Sequence, residues 1–139
     1  MNKMQNSGSY MNSSKRFALR LPVFWSLRET RESVEIESAS GKTAVTVTAF
    51  HRTKSRPEID TREHLSRFMQ GASLRGQASI LRRSRSRSMA DYIDTRRASW
   101  RVMFIARKNK LLLATCNSDA DAKEEEARVG HKLLSSIRL

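Results

Sequence analysis

The 139-residue sequence holds one cysteine, two prolines and five glycines, and it has no long apolar run. Each shortage excludes something. A lone Cys116 cannot close an internal disulfide. It lies in "LLLATCN", an apolar run, and reads as a small buried hydrophobe rather than a reactive thiol. The glycines, at 8, 41, 71, 76 and 130, are too scattered for a phosphate- or dinucleotide-binding loop. No window approaches the roughly 18 uninterrupted apolar residues of a membrane helix. Residues 1–15, "MNKMQNSGSYMNSSK", contain no apolar h-region, so no secretory signal is expected. They are polar and rich in Ser and Asn, which predicts a disordered leader before a single domain over 16–139. A cytoplasmic location follows as the expectation, and the Asn-Ser-Ser triplet at Asn12 then carries no glycan.

Acidic residues are the next shortage. Twenty-seven Lys and Arg face 14 Asp and Glu, for a net charge of +13. That imbalance attracts polyanions or acidic protein surfaces, at a cost in self-repulsion. Metal and catalytic signatures are missing too. His51, His64 and His131 stand at no helical spacing and have no cysteine pair beside them. No Gly-x-Ser-x-Gly elbow occurs. "SASGKT" resembles the end of a phosphate loop, but Ile36 stands where its first glycine belongs, and a strand rather than a helix follows. It is read as a turn, with Gly41 free to take positive φ. The chain is expected to be no enzyme, with no catalytic, cofactor-binding or metal-ligating residue.

Periodicity supplies the architecture. "RFALRLP" alternates, with Phe17, Leu19 and Leu21 on one face, and Pro22 ends it. Phe24 and Trp25 follow at the strand exit. "SVEIES" and "TAVTVTAF" flank the SASGKT turn, and with the first strand they suggest a three-strand meander. "TKSRPEID" is a loop. Asp60, with Glu63 three residues on, has capping-box spacing, and Leu65, Phe68, Met69 and Ala72 form a stripe, which predicts a helix over 61–74 stopped by Gly76. Strands are expected at "QASIL", "MADYID", "ASWRVMFIA" and "KLLLATCN". Trp100, Val102 and Phe104 share one face, and Met103 and Ile105 the other, so this sheet is covered on both sides. Trp25 and Trp100 are read as core residues rather than base-stacking platforms. Ser118 is expected to cap a closing helix over 119–136, acidic at its start and basic towards its end, with Ala122, Val129, Leu133 and Ile137 buried.

"RRSRSRSM", residues 82–89, is too short for a splicing-type Arg-Ser tail. If extended, it projects Arg83, Arg85 and Arg87 to one face and the serines to the other. Like charges at that spacing must face solvent, so a folded, charged strand or hairpin edge is expected. Arg83, Arg85 and Arg87, with Arg96 and Arg97, form the candidate anion-binding edge.

The order of elements, with "FALRLPVFW" at the start and "EEEARVGHKLLSSIRL" at the end, resembles the PsbP-like superfamily, which includes the Ran-binding Mog-type import factors and bacterial DcrB-like proteins. The likeness rests on Phe17, Pro22, Trp25, Trp100 with "LLLATCN", and Glu126, Leu134, Ser136 and Ile137, across residues 16–139. It implies an α+β fold, an antiparallel β-sheet flanked by helices on both faces. It also implies a non-catalytic adaptor, chaperone or assembly accessory that binds another protein. A nucleic-acid-binding domain using the arginine-rich edge is the alternative.

Overall fold

The computed structural model describes residues 2–4, 8–12, 16–50 and 59–139. Ten strands and two helices follow in the order β1 (Asn2–Met4), β2 (Gly8–Met11), β3 (Ala18–Leu21), β4 (Ser26–Glu29), β5 (Ser33–Glu37), β6 (Thr43–Phe50), α1 (Thr61–Gly71), β7 (Ser79–Arg83), β8 (Arg87–Ile93), β9 (Ser99–Arg107), β10 (Lys110–Ser118) and α2 (Glu124–Ser135). Eight strands make one sheet in the order β1-β4-β5-β6-β10-β9-β8-β7, and β2 and β3 form a separate two-stranded sheet. Every strand pair is antiparallel.

The alternation in β9 sorts two cores. Met103 and Ile105 join Val45, Val47, Leu112, Ala114 and Cys116 beneath Leu133, Leu134 and Ile137 at the α2 end of the chain. Val102 and Phe104 join Ala90, Tyr92 and Leu111 beneath Leu65 of α1. The two helices therefore cover opposite faces of the sheet, as the two-faced apolar strands require. Asp60 caps α1, accepting from the Arg62 amide at 3.0 Å. The same carboxylate takes the Arg62 guanidinium at 2.7 Å, and that bond holds it down to a pKa of about 2. At the SASGKT turn Gly41 has φ +77. Ser38 and Ser40 donate to Glu126 at 2.5 and 2.7 Å, tying the turn to the first turn of α2.

Several expectations need correction. Residues 2–4 and 8–11 are strands, not disordered leader: β1 pairs with β4 and β2 with β3. Backbone pairing with existing strands orders these polar residues without an apolar signal of their own. The first alternating run does bury Phe17, Leu19 and Leu21. Its partner, however, is β2, and the meander beside β6 is built from β4 and β5. β4 carries only Leu27 as an apolar anchor, too little to register as a strand. Ser118 does not cap α2, because its hydroxyl is buried in a bond to Thr43 at 2.9 Å. Asp119 to Ala122 make a tight turn, and the helix begins at Glu124. α1 ends at Gly71, before Gly76, which instead takes φ +81 in the following loop. Trp100 is half-buried rather than enclosed. Its ring stacks on Tyr92 and its N–H donates to Asp94 at 2.8 Å, so the polar edge stays at the surface. His51 and residues 53–58 of the expected loop lie outside the described residues.

Candidate basic cleft

The "RRSRSRSM" stretch is a hairpin. Ser84 donates its amide to the Arg87 carbonyl at 3.0 Å and its hydroxyl to the same oxygen at 2.7 Å. The Ser88 hydroxyl returns to the Ser84 carbonyl at 3.0 Å. Serines that bond to their own backbone close turns, and here they reverse the chain in the middle of an alternating run. Arg83 therefore ends β7, Arg85 lies in the turn and Arg87 begins β8. Arg83 stands opposite Ser88, and Ser88 in turn opposite Phe104 on the α1 side. Arg87 stands opposite Ile105 on the α2 side. The hairpin thus gathers three of the five expected arginines without placing them on one face. Arg96 and Arg97 lie in the turn at the far end of β8, the length of a seven-residue strand, roughly 20 Å, away.

A different set of arginines converges. Arg82 stands opposite Met89, on the same side as Arg87. With Arg107 at the end of β9 and Arg138 beyond α2, they line a cleft of about 410 Å³, floored by Ile105, Ala106 and Ile137. Arg138 is fixed by paired backbone bonds with Ala18, at 2.8 and 2.9 Å. Among the described residues, no Asp or Glu side chain forms an ion pair with Arg82, Arg87, Arg107 or Arg138. Arg107 donates to the Leu139 carbonyl at 3.4 Å. Burial, and then the charges of Arg82 and Arg138, hold the half-buried Arg87 guanidinium below the ordinary arginine range. An added anion would relieve both repulsions.

Leu139 also borders a second hollow of about 170 Å³, lined by Arg16, Phe50, Lys110, Leu111 and Leu112. Phe50 is 43% exposed there. Cationic cleft and apolar hollow adjoin at one end of the sheet. At the other end Asp119, Asp121 and Glu124 to Glu126 gather around the start of α2. Sequence reading missed the cleft because residues 82, 87, 107 and 138 meet only through strand pairing.

No protein-family model matches the chain, and no curated protein does. Solved structures do. Cyanobacterial PsbP (CyanoP) from Synechocystis sp. PCC 6803 superposes with a TM-score of 0.59 at 12% identity, over 96% of this chain and 92% of that one. The fold is PsbP-like. The Ran-binding protein Mog1p of Saccharomyces cerevisiae has a TM-score of 0.59 at 7% identity, over 96% and 95% of the two chains. A protein from Bacteroides thetaiotaomicron VPI-5482 matches at 0.60 and 11% identity, over 96% of this chain and 48% of its own. At such identities the property shared with these proteins is the fold.

The remaining candidates hold less chemistry. Cys116 is buried, and burial pushes its thiol up to about 12, away from the reactive thiolate. Among the described residues, no three His, Cys, Asp or Glu side chains come together as a metal site. No described helix is long and apolar enough to cross a membrane.

Proposed function

We propose that this chain is a non-catalytic protein-binding domain of adaptor, chaperone or assembly-accessory type, acting without a cofactor in the cytoplasm. Its partner presents an acidic surface to the basic end of the sheet. The observation that carries this reading is the junction of the four-arginine cleft with the Phe50 hollow. Adjoining charge and apolar area suit a protein surface, where one apolar anchor supplies affinity and the charges supply orientation and speed. A Ran-binding protein among the structural neighbours is in keeping with this role.

The second reading is nucleic-acid binding, favoured by the net charge of +13 and by exposed Arg83 and Arg85 beside the cleft. One experiment separates the two. The parent chain and an Arg82→Glu/Arg107→Glu/Arg138→Glu variant are used as bait in native lysate, with and without nuclease. A protein captured by the parent, lost with the variant and indifferent to nuclease supports the first reading. Capture abolished by nuclease supports the second. In that case each phosphate contact removed lowers the salt slope of binding by about one unit.

A further inference from the structure

β7 closes one edge of the eight-stranded sheet. All five of its residues are exposed, including Ile80 at 53% and Leu81 at 47%. Among the described residues, no strand pairs with its outer side. Such an edge presents unpaired backbone donors and acceptors and is a template for another strand. We propose that β7 accepts an extended segment of a partner protein as an added antiparallel strand, one that alternates acidic and apolar side chains. This rests on the reading of the chain as a binder of acidic proteins, and it names how the partner is held.

Charge decides the occupant. A second copy of β7 would gather Arg82 and Arg83 of both chains in one ribbon, and like charges across strands are destabilising. A register shift between Ile80 and Arg82 also bends this edge. An acidic strand meets no such repulsion. Register decides where its side chains go. Directly opposed residues share a face. The incoming residue opposite Arg82 therefore lies on the α2 side, the side of Arg87 and the cleft. The residue opposite Ile80 lies on the α1 side, because Ile80 faces Ala90 and Ala90 faces Val102. Acidic and apolar positions fall on opposite faces of the added strand, so they are an odd number of residues apart. Main-chain bonds then give affinity and the alternating side chains give selectivity, as in other cases of strand addition.

The test uses the full chain and a blocked peptide of alternating Val and Glu, about eight residues long, the length of an ordinary strand. Expected results are binding, slowed hydrogen exchange at the amides of Ser79–Arg83, and loss of binding when alternate peptide amides are N-methylated. Arg82→Glu weakens the complex by about tenfold or more, while Arg83→Glu, on the other face, weakens it by only about threefold. Circular dichroism checks that both variants are folded. A peptide that binds equally well when N-methylated, or that leaves the β7 amides unprotected, overturns strand addition but leaves the acidic-partner reading standing. Failure of any acidic peptide to bind, together with partner capture that survives the triple charge reversal, sinks both. Protection of β7 by self-association, or by an oligothymidylate in place of the peptide, also overturns the proposal.

Discussion

Gly130 of α2 lies so close to Cys116 of β10 that a β-carbon built on it stands 2.6 Å from the Cys116 sulfur, with Thr43 Cγ2 at 3.3 Å and the Trp25 ring at 3.6 Å. Glycine inside a helix forfeits about 1 kcal/mol of propensity relative to alanine, so this one is retained for packing. It lets α2 settle on the sheet that carries the cleft.

Gly130→Ala is expected to destabilise the chain. Overpacking costs about 1–3 kcal/mol, and the propensity gain offsets about 1. Adding Cys116→Ala removes the sulfur and should recover part of the loss, giving a favourable coupling energy in a double-mutant cycle. Denaturant melts of the four proteins measure it. Additive effects would mean that helix and sheet part freely at this point.

His131 gives the chain a pH dependence. Burial first, and then the Arg101 charge, hold its imidazole below the ordinary value, with Asp91 opposing. Arg101 is itself held by Asp91 at 2.7 Å. A histidine depressed in the folded chain stays neutral there while the unfolded chain takes up a proton. Its contribution to stability is therefore complete above about pH 6.5 and is lost as pH falls below that value. His131→Gln should flatten the stability profile between about pH 5 and 7. A profile that keeps its slope in the variant would assign it to other groups.

How far the primary structure discloses this fold depends on whether the signal is local. Asp60 before Thr61, and Val102/Phe104 against Met103/Ile105, are local patterns, and helix, sheet and two-sided cover follow from them. β1, β2 and β4 carry few apolar residues and owe their order to partners elsewhere in the chain, so period alone does not reveal them. At residues 82–89 the alternation predicts a charged strand or hairpin edge, but it does not show where the chain reverses. Ser84 and Ser88, which the alternation puts on one face of a strand, close the turn between β7 and β8. That reversal splits Arg83 from Arg87 and leaves Arg87 to meet Arg107 and Arg138, residues 20 and 51 positions further on. No spacing rule within one strand connects them.

Phe24 has φ +67 and is 65% exposed. A bulky residue in the left-handed region is strained, at a cost of roughly 1–2 kcal/mol, whereas asparagine tolerates that conformation. With little burial to lose, Phe24→Asn should raise stability by about 0.5–1 kcal/mol. A lowered melting temperature would show that the ring contributes more contact than its exposure indicates.

The cleft makes the last prediction. Four arginines border one hollow, and among the described residues no Asp or Glu side chain pairs with them. Arg87 shows the consequence, because after burial its two nearest causes of destabilisation are the charges of Arg82 and Arg138. Removing a repelling neighbour should therefore cost nothing. Arg82→Gln and Arg138→Gln are expected to leave stability unchanged or raise it, within the roughly 0.5 kcal/mol of ordinary surface changes. Because salt screens this repulsion over about 10 Å at 0.1 M, added sodium chloride should raise the melting temperature of the parent more than that of the double variant. Phosphate at equal ionic strength should add a further rise in the parent alone, since a guanidinium pair binds it as a fork as well as screening it. Melting curves across a salt series, in chloride and in phosphate, measure both effects. A double variant that melts well below the parent would mean that these arginines are paired inside the fold, and the cleft would then have no free charge to offer a partner.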